Sequence, residues 1–216
     1  MKLLCEVQGV GYELFDLHAL DEMAVMVAEA FACYEPMTVT QNFSLEELVA
    51  SIKLRGPKVA QEELTVLARD QETGQVVGAL LTDNFASAPP EGIEHLSKKF
   101  GPVLALLDAL DTQYKQGKSL RVGDSLHLLM IAVTHQHTGK KVAQTLVRAC
   151  LENGIRKGYQ TAVTEATGVI SQHIFRKCGF VDRFAISYKA FMYQGRRVFE
   201  SIEEHTSIIL MDKVLV

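Results

Sequence analysis

No apolar run in the 216-residue chain approaches the roughly 18 residues that cross a bilayer, so no membrane span is expected. Cysteine is scarce and scattered: Cys5, Cys33, Cys150 and Cys178 form no C-x-x-C pair. That spacing argues against a disulfide frame or a thiolate zinc site, and for free thiols. His135 and His137 make an H-x-H with no third ligand nearby, and no metal is expected there. Positive charge is not in excess. Lys and Arg number 22 against 26 Asp and Glu, a net charge of −4 with no dense basic stripe, so nucleic acid is not an expected partner. Residues 1–16 lack the apolar core and cleavage site of a secretion signal, and the expected location is the cytoplasm. Repeats, low-complexity tracts and linker-like segments are also missing. Residues 1–216 are therefore expected to form a single domain, long enough for a full sheet with helices on both faces.

What is present is organised around residues 126–143, LHLLMIAVTHQHTGKKVA. The apolar run 128–133 reads as a strand buried on both faces. After a polar turn containing Gly139, Val142, Ala143, Leu146, Val147, Cys150 and Gly154 recur at helical spacing. A strand, a tight turn and an amphipathic helix leave the helix's first N–H groups and its positive dipole end facing the turn, an arrangement that suits a diphosphate.

The remaining elements follow in order. Residues 10–17 read as a strand and 21–33 as a helix that stops before Glu35-Pro36, because proline disfavours helical geometry in the residue before it. Ser44 with Glu47 forms a capping box that opens a second helix, with Gly56-Pro57 expected to interrupt or end it. Residues 64–69 and 75–82 read as an antiparallel hairpin around a turn at 70–74. A loop at 85–90 precedes a helical stripe from Ile93 to Tyr114, with a kink expected at Pro102. That stripe either packs on the sheet or covers a substrate pocket. Residues 159–165, 180–188 and 206–214 read as strands, 168–177 as a short helix closed by Gly179, and Gln194-Gly195 as a turn. Strands mixed with helices argue an α/β layered sheet.

Two segments then resemble one family. The turn resembles the acetyl-CoA pyrophosphate loop of the GNAT superfamily of N-acetyltransferases: Arg or Gln, two variable residues, Gly, one variable residue, then Gly or Ala. In register it falls on Thr138, Gly139, Lys140, Lys141, Val142 and Ala143, with Thr138 in place of Arg/Gln and Lys141 in place of the middle glycine. Residues 174–180, IFRKCGF, resemble the GNAT signature Leu-Tyr-x-Lys-x-Gly-Phe. The aromatic there is often a tyrosine that protonates the leaving thiolate; here it is Phe175, which has no proton to give. Glu35-Pro36, the hydroxyls of Thr167 and Ser171, and Tyr188, Gly195, His205 and Lys213 resemble the arylalkylamine branch, especially the dopamine-type enzymes of insects.

The resemblance implies a GNAT fold, a mixed central sheet of about seven strands with helices on both faces. It implies acetyl-CoA as cofactor, with CoA as product. The cofactor would be held by Gln136, His137, Thr138, Gly139, Lys140, Lys141, Val142 and Ala143, by Ile131, Ala132 and Val133 of the strand, and by Ser171 and Phe175. It further implies an acetyl group passed directly to a small primary amine, arylalkylamine or polyamine, in a ternary complex of a monomer or homodimer. Glu35 would be the general base, and Ser171 with Thr167 would replace the missing tyrosine. The chemistry agrees: an ammonium must lose a proton before attacking a thioester, and burial brings a carboxylate's pKa toward the useful range. Each residue also has a plainer role open to it. Glu35 suits a solvated loop, Thr167 and Ser171 suit helix caps, and His127, His135, His137 and His173 suit structural or exposed positions. The alternative function is a GNAT-like module that keeps acetyl-CoA as a ligand without transferring it, for which Thr138, Lys141 and Phe175 speak.

Overall fold

The computed structural model describes residues 2–88 and 90–215, with Glu94 described by its backbone alone. Pro89, part of the expected loop at 85–90, lies outside the described residues. The strands are β1 (Leu3–Val7), β2 (Val10–Leu14), β3 (Val66–Asp70), β4 (Val76–Asn84), β5 (Ser125–Val133), β6 (Thr161–Ala166), β7 (Val181–Ser187) and β8 (Ser207–Val214). The helices are α1 (Leu20–Tyr34), α2 (Pro36–Thr40), α3 (Leu45–Glu62), α4 (Ile93–Leu96), α5 (Phe100–Lys115), α6 (Val142–Arg156) and α7 (Val169–Lys177).

The strands form one mixed sheet in the order β1-β2-β3-β4-β5-β6-β8-β7. Among the described residues it has eight strands, close to the seven or so expected. The extra strand is β1, joined to β2 by Gln8 and Gly9, both at positive φ (52° and 75°), the backbone a two-residue hairpin demands. Helices α6 and α7 pack on one face, where Leu146, Val147, Cys150 and Phe175 meet Tyr12, Val66, Leu80, Leu128 and Met211. On the other face α1 and α3 cover Leu67, Ala79 and Leu81, and α5 covers Val163, Ile208 and Leu210.

Three local expectations are corrected. Helix α3 runs unbroken through Gly56-Pro57. Buried Leu48, Ile52 and Val59 pin it on both sides of the proline, and Leu20 fills the space where a Cβ on Gly56 would stand; tertiary packing overrides the lost hydrogen bond. The 93–114 stripe breaks at residues 97–99, while Pro102 sits in the first turn of α5, where a missing N–H costs little. Strand β5 is not buried throughout: Leu129, Met130, Ile131 and Val133 are partly exposed.

That last difference has a visible cause. Parallel pairing of β5 with β6 covers only Ser125–His127 against Thr161–Val163. Past this point Thr164 Oγ1 donates to Leu128 O at 2.9 Å, and the strands part. A bulge lies at the same level, with Leu81 and Thr82 of β4 facing Met130 and Leu128, so that Leu129 is the extra residue. The sheet opens where a bulge re-aims the strand.

Candidate active site

The opening between β5 and β6 exposes one backbone edge. Thr134 donates its N–H to Val77 O of β4 at 2.9 Å. By alternation Ala132 also faces β4, while Ile131 and Val133 turn their N–H and C=O groups into the gap. An extended, amide-bearing chain can pair with that edge. Ala132 itself is 6% exposed, so its contribution is to the sheet.

At the end of β5 a short 3-10 turn, His135–His137, leads into α6. Gln136, Thr138, Gly139 and Lys140 are exposed. His137 is engaged within the protein: Nδ1 lies 3.0 Å from Thr134 Oγ1 and Nε2 3.4 Å from Asp70 Oδ2. Its ring therefore braces the turn. Gly139 has φ 81° and Lys141 φ 62°; the second is the position where the family pattern carries glycine. A left-handed non-glycine residue costs roughly 1–2 kcal/mol. Lys141 is the N-cap of α6, and its side chain caps nothing. The first-turn N–H groups of α6, Val142 and Ala143 among them, thus face the turn without carbonyl partners from their own helix. Glycine at 78 lets that helix start come close to the sheet: a Cβ there would stand 3.2 Å from Leu146 Cδ1 and from Val142 Cγ1.

Glu35 ends α1 and caps α2. Its Oε2 accepts the Thr38 N–H at 2.6 Å, and Thr38 Oγ1 donates to Phe31 O at 2.7 Å and to Glu35 O at 3.0 Å, tying the two helices together. The residue is 9% exposed, and Oε1 is buried with no partner of hydrogen-bond geometry. Burial raises the carboxyl's pKa; the N–H groups of Thr38 and Met37 and the hydroxyl of Thr167 pull it back without cancelling the rise. The structure thus brings Glu35 and Thr167 together. Tyr188, fully buried, donates its hydroxyl to Thr167 O at 2.7 Å and fixes that loop. Burial, then the charge of Glu35, raises the tyrosine's own pKa.

The hydroxyl of Ser171 is engaged by Gly168. Ser171 is the third residue of α7: Oγ donates to Gly168 O at 2.9 Å and accepts the Gly168 N–H at 3.3 Å. The N-cap is Gly168, so Thr167 does not fill the capping role its type suits. His205 Nδ1 accepts the Val169 N–H at 3.3 Å and steadies the same helix start. Phe175, expected against the cofactor, is 2% exposed, its ring 5.1 Å from that of Phe180. An aromatic with no polar tip gains more from the core than from the gap, so it leaves no ring surface for a ligand. His135 and His173 are exposed. Burial pushes the Cys150 thiol up to about 12, which rules it out as a nucleophile at neutral pH.

Sequence reasoning missed Thr38, the hydrogen bond from Tyr188 to Thr167, and a buried charge cluster at His127. For the last a signal was present: Asp83, His127 and Glu165 are the ionisable residues of their strands.

Residues 43–180 match the acetyltransferase (GNAT) family. The chain belongs to that family. Similar solved GNAT-fold structures cover nearly all of it. The C-terminal condensation domain of Ebony, solved with beta-alanyl-dopamine, has a TM-score of 0.87 at 12% identity over 95% of this chain and 98% of that one. Arylalkylamine N-acetyltransferase 2 from Aedes aegypti has a TM-score of 0.78 at 18% identity over 97% and 100%. The Drosophila melanogaster polyamine N-acetyltransferase that forms N-acetylagmatine has 0.72 at 18% over 95% and 99%. The family match begins after Glu35, so the base candidate of this GNAT protein stands on its geometry. The family's donor, acetyl-CoA, fits the residues present: a row of free N–H groups for the diphosphate, an open strand edge for the amide-bearing arm, and two exposed lysines, Lys140 and Lys141, beside the helix start.

Proposed function

We propose that residues 1–216 form a single cytoplasmic domain that transfers an acetyl group from acetyl-CoA to a small primary amine, directly, in a ternary complex. The observation that carries this reading is Glu35 Oε1, a buried carboxylate oxygen with no partner of hydrogen-bond geometry, on a side chain next to Thr167 past the end of β6. Support comes from similar folds that act on arylalkylamines and polyamines. The four cysteines are free, which fits a reducing compartment. No helix among the described residues is long and apolar enough to cross a membrane.

Acetyl-CoA, when bound, supplies the thioester that the amine attacks. Thr38 holds Glu35 Oε2 in place, so Oε1 is free to accept the amine's proton, directly or through one water, and the raised pKa makes it a better base. Ile131 and Val133 orient the arm of the donor, and the N–H groups of Val142 and Ala143 hold its diphosphate. Thr167 sets the orientation of Glu35. Ser171, hydrogen-bonded to Gly168, carries the hydroxyl assigned to protonate the leaving thiolate.

Glu35→Gln tests the reading, because it keeps shape and removes basicity. We expect kcat/KM to fall by about 10²–10⁴, with the loss shrinking toward pH ~10 as the free amine deprotonates itself. A purely binding role would raise KM at nearly constant kcat. Wild-type kcat across that range would remove Glu35 from the mechanism. Phe175, in the place of the usual tyrosine acid, favours a second reading, a ligand-keeping module without transfer. Thiol release from acetyl-CoA against a panel of amines separates the two: tight cofactor binding with no turnover on any amine would favour the module.

A further inference from the structure

Six charged groups form a string beneath the point where β5 and β6 part. Lys58 Nζ of α3 lies 3.2 Å from Asp83 Oδ2 of β4, and Asp83 Oδ1 lies 3.3 Å from His127 Nδ1 of β5. His127 Nε2 is 2.7 Å from Glu165 Oε2 of β6. The Glu165 carboxyl is within hydrogen-bonding reach of the Asp111 carboxyl of α5. Asp111 Oδ2 in turn lies 3.2 Å from Lys115 Nζ, one helical turn on. Signs alternate along the string except at one link, Asp111 to Glu165. Each of these carboxyls has one oxygen on a cation. The other two oxygens, Asp111 Oδ1 and Glu165 Oε1, are both buried and both without a partner.

Two carboxylates cannot face each other with no donor between them, since both are acceptors when ionised and like charges repel. One proton satisfies both orphaned oxygens in a single O–H···O bond. We propose that Asp111 and Glu165 share one proton, and that this proton latches helix α5 onto strand β6. It resides on Asp111, because Glu165 faces the imidazolium of His127. Burial alone would lower the imidazole's pKa, but Glu165 and Asp83 on either side raise it to about 10. Phe85 covers the string, its ring 5.1 Å from His127 and 5.6 Å from Tyr114, with Lys115 Nζ 4.4 Å from its centroid. From α3, Arg55 and Glu62 add charge near Asp83, the first cationic and the second anionic.

Burial, then the charge of Glu165, pushes the Asp111 carboxyl up to about 7, against the pull of His127 and Lys115. The latch therefore loses its proton near neutrality, to solvent along the exposed edge of Asp111. The folded pKa lies above the ordinary 3.8, so the folded state holds the extra proton between those values. The latch is at full strength below about pH 4 and its contribution has been lost once pH rises past about 7. Glu165 stands two residues before Thr167, so the latch steadies the strand that leads to Glu35's neighbour. The proposal is separate from the acetyl-transfer reading, because no step of it uses amine or cofactor.

Hydrogen exchange over residues 106–115, corrected for intrinsic rates, tests it in the wild type and in Asp111→Asn, whose amide can donate permanently to Glu165. Between pH ~6 and ~8.5 wild-type protection should fall about tenfold more than that of the variant, the difference expected from a carboxyl at 7 closed and 3.8 open. The wild-type infrared spectrum should also show the C=O stretch of a buried protonated carboxyl at pH ~6, vanishing with a midpoint near 7. The band should be missing in Asp111→Asn, which separates it from the buried carboxyl of Glu35, also raised by burial. An equal fall in protection for both proteins, or no such band at pH ~6, overturns the latch.

Discussion

Two long helices of this protein begin in opposite ways. At α3 the chain satisfies itself: Ser44 Oγ takes the Glu47 N–H at 3.2 Å, Glu47 Oε2 takes the Ser44 N–H at 2.8 Å, and Lys99 Nζ closes on Glu47 at 2.7 Å. Lys99, then the Ser44 N–H, hold the Glu47 carboxyl down to about 2. At α6 the corresponding position is Lys141, left-handed, with a side chain that caps nothing. Both helices are amphipathic and similarly long, so propensity does not separate them. The difference is in what their first N–H groups are for. A start that holds the fold is capped from within; on the proposed reading the other is kept for an anion, left open and accepting backbone strain to stay so.

The sharpest way to break this contrast is to fill the open start. Ala143→Asp puts a negative charge where the diphosphate would lie. With acetyl-CoA at a hundred times its Kd, the wild type should gain about 2.7 kcal/mol of stability, read as a rise in Tm, and the variant should lose that gain. A wild-type protein whose Tm ignores millimolar CoA would remove the cofactor assignment. Removing the closed start comes next. Ser44→Ala should cost about 1 kcal/mol in urea unfolding while leaving the CoA-induced shift unchanged; a matching loss of that shift would mean the two starts are not separate in role. The smallest change relaxes the strain. Lys141→Gly should gain up to about 1 kcal/mol from the left-handed backbone, partly offset by glycine's greater freedom when unfolded. A loss of stability would show that the lysine side chain, not its backbone, matters at that position.

Much of the fold was legible because it rests on periodicity and caps. The strand, turn and helix at 126–143, the capping box at Ser44 and the hairpin at 70–74 depend on neighbours a few residues apart, which a sequence displays directly. The misreadings came from long-range packing. Nothing within a few residues of Pro57 says that Leu20 and the sheet will hold a helix through it. The site divides in the same way. The turn and helix start at 134–143 are local, and their backbone shape is legible in the motif. Pairing of Glu35 with Thr167 needed a resemblance, since 132 positions separate them and only the folded sheet brings them side by side. An aromatic in a motif does not announce whether its ring faces the gap or the core, and only the fold shows Phe175 packed at 2% exposure. The string from Lys58 to Lys115 spans α3, β4, β5, β6 and α5; Asp83, His127 and Glu165 stand out as ionisable residues in strands, but the order along the string exists only in three dimensions.

Strand β8 lies between β6 and β7, although it follows both in sequence. A chain emerging from the ribosome can assemble β1 to β5 as consecutive antiparallel neighbours and set β6 beside β5, yet it cannot complete the sheet beyond β6 until β8 has been made. Asp212 of β8 then accepts the Tyr114 hydroxyl of α5 at 2.9 Å and meets Arg183 of β7 at 2.7 Å, closing strand, edge and helix together. Non-local pairings of this kind are the slow part of folding, since chain entropy is lost before the contacts repay it. During synthesis the nascent protein therefore carries a β6 edge left unpaired until β8 arrives, with Glu165 on that strand and Thr167 just past its end.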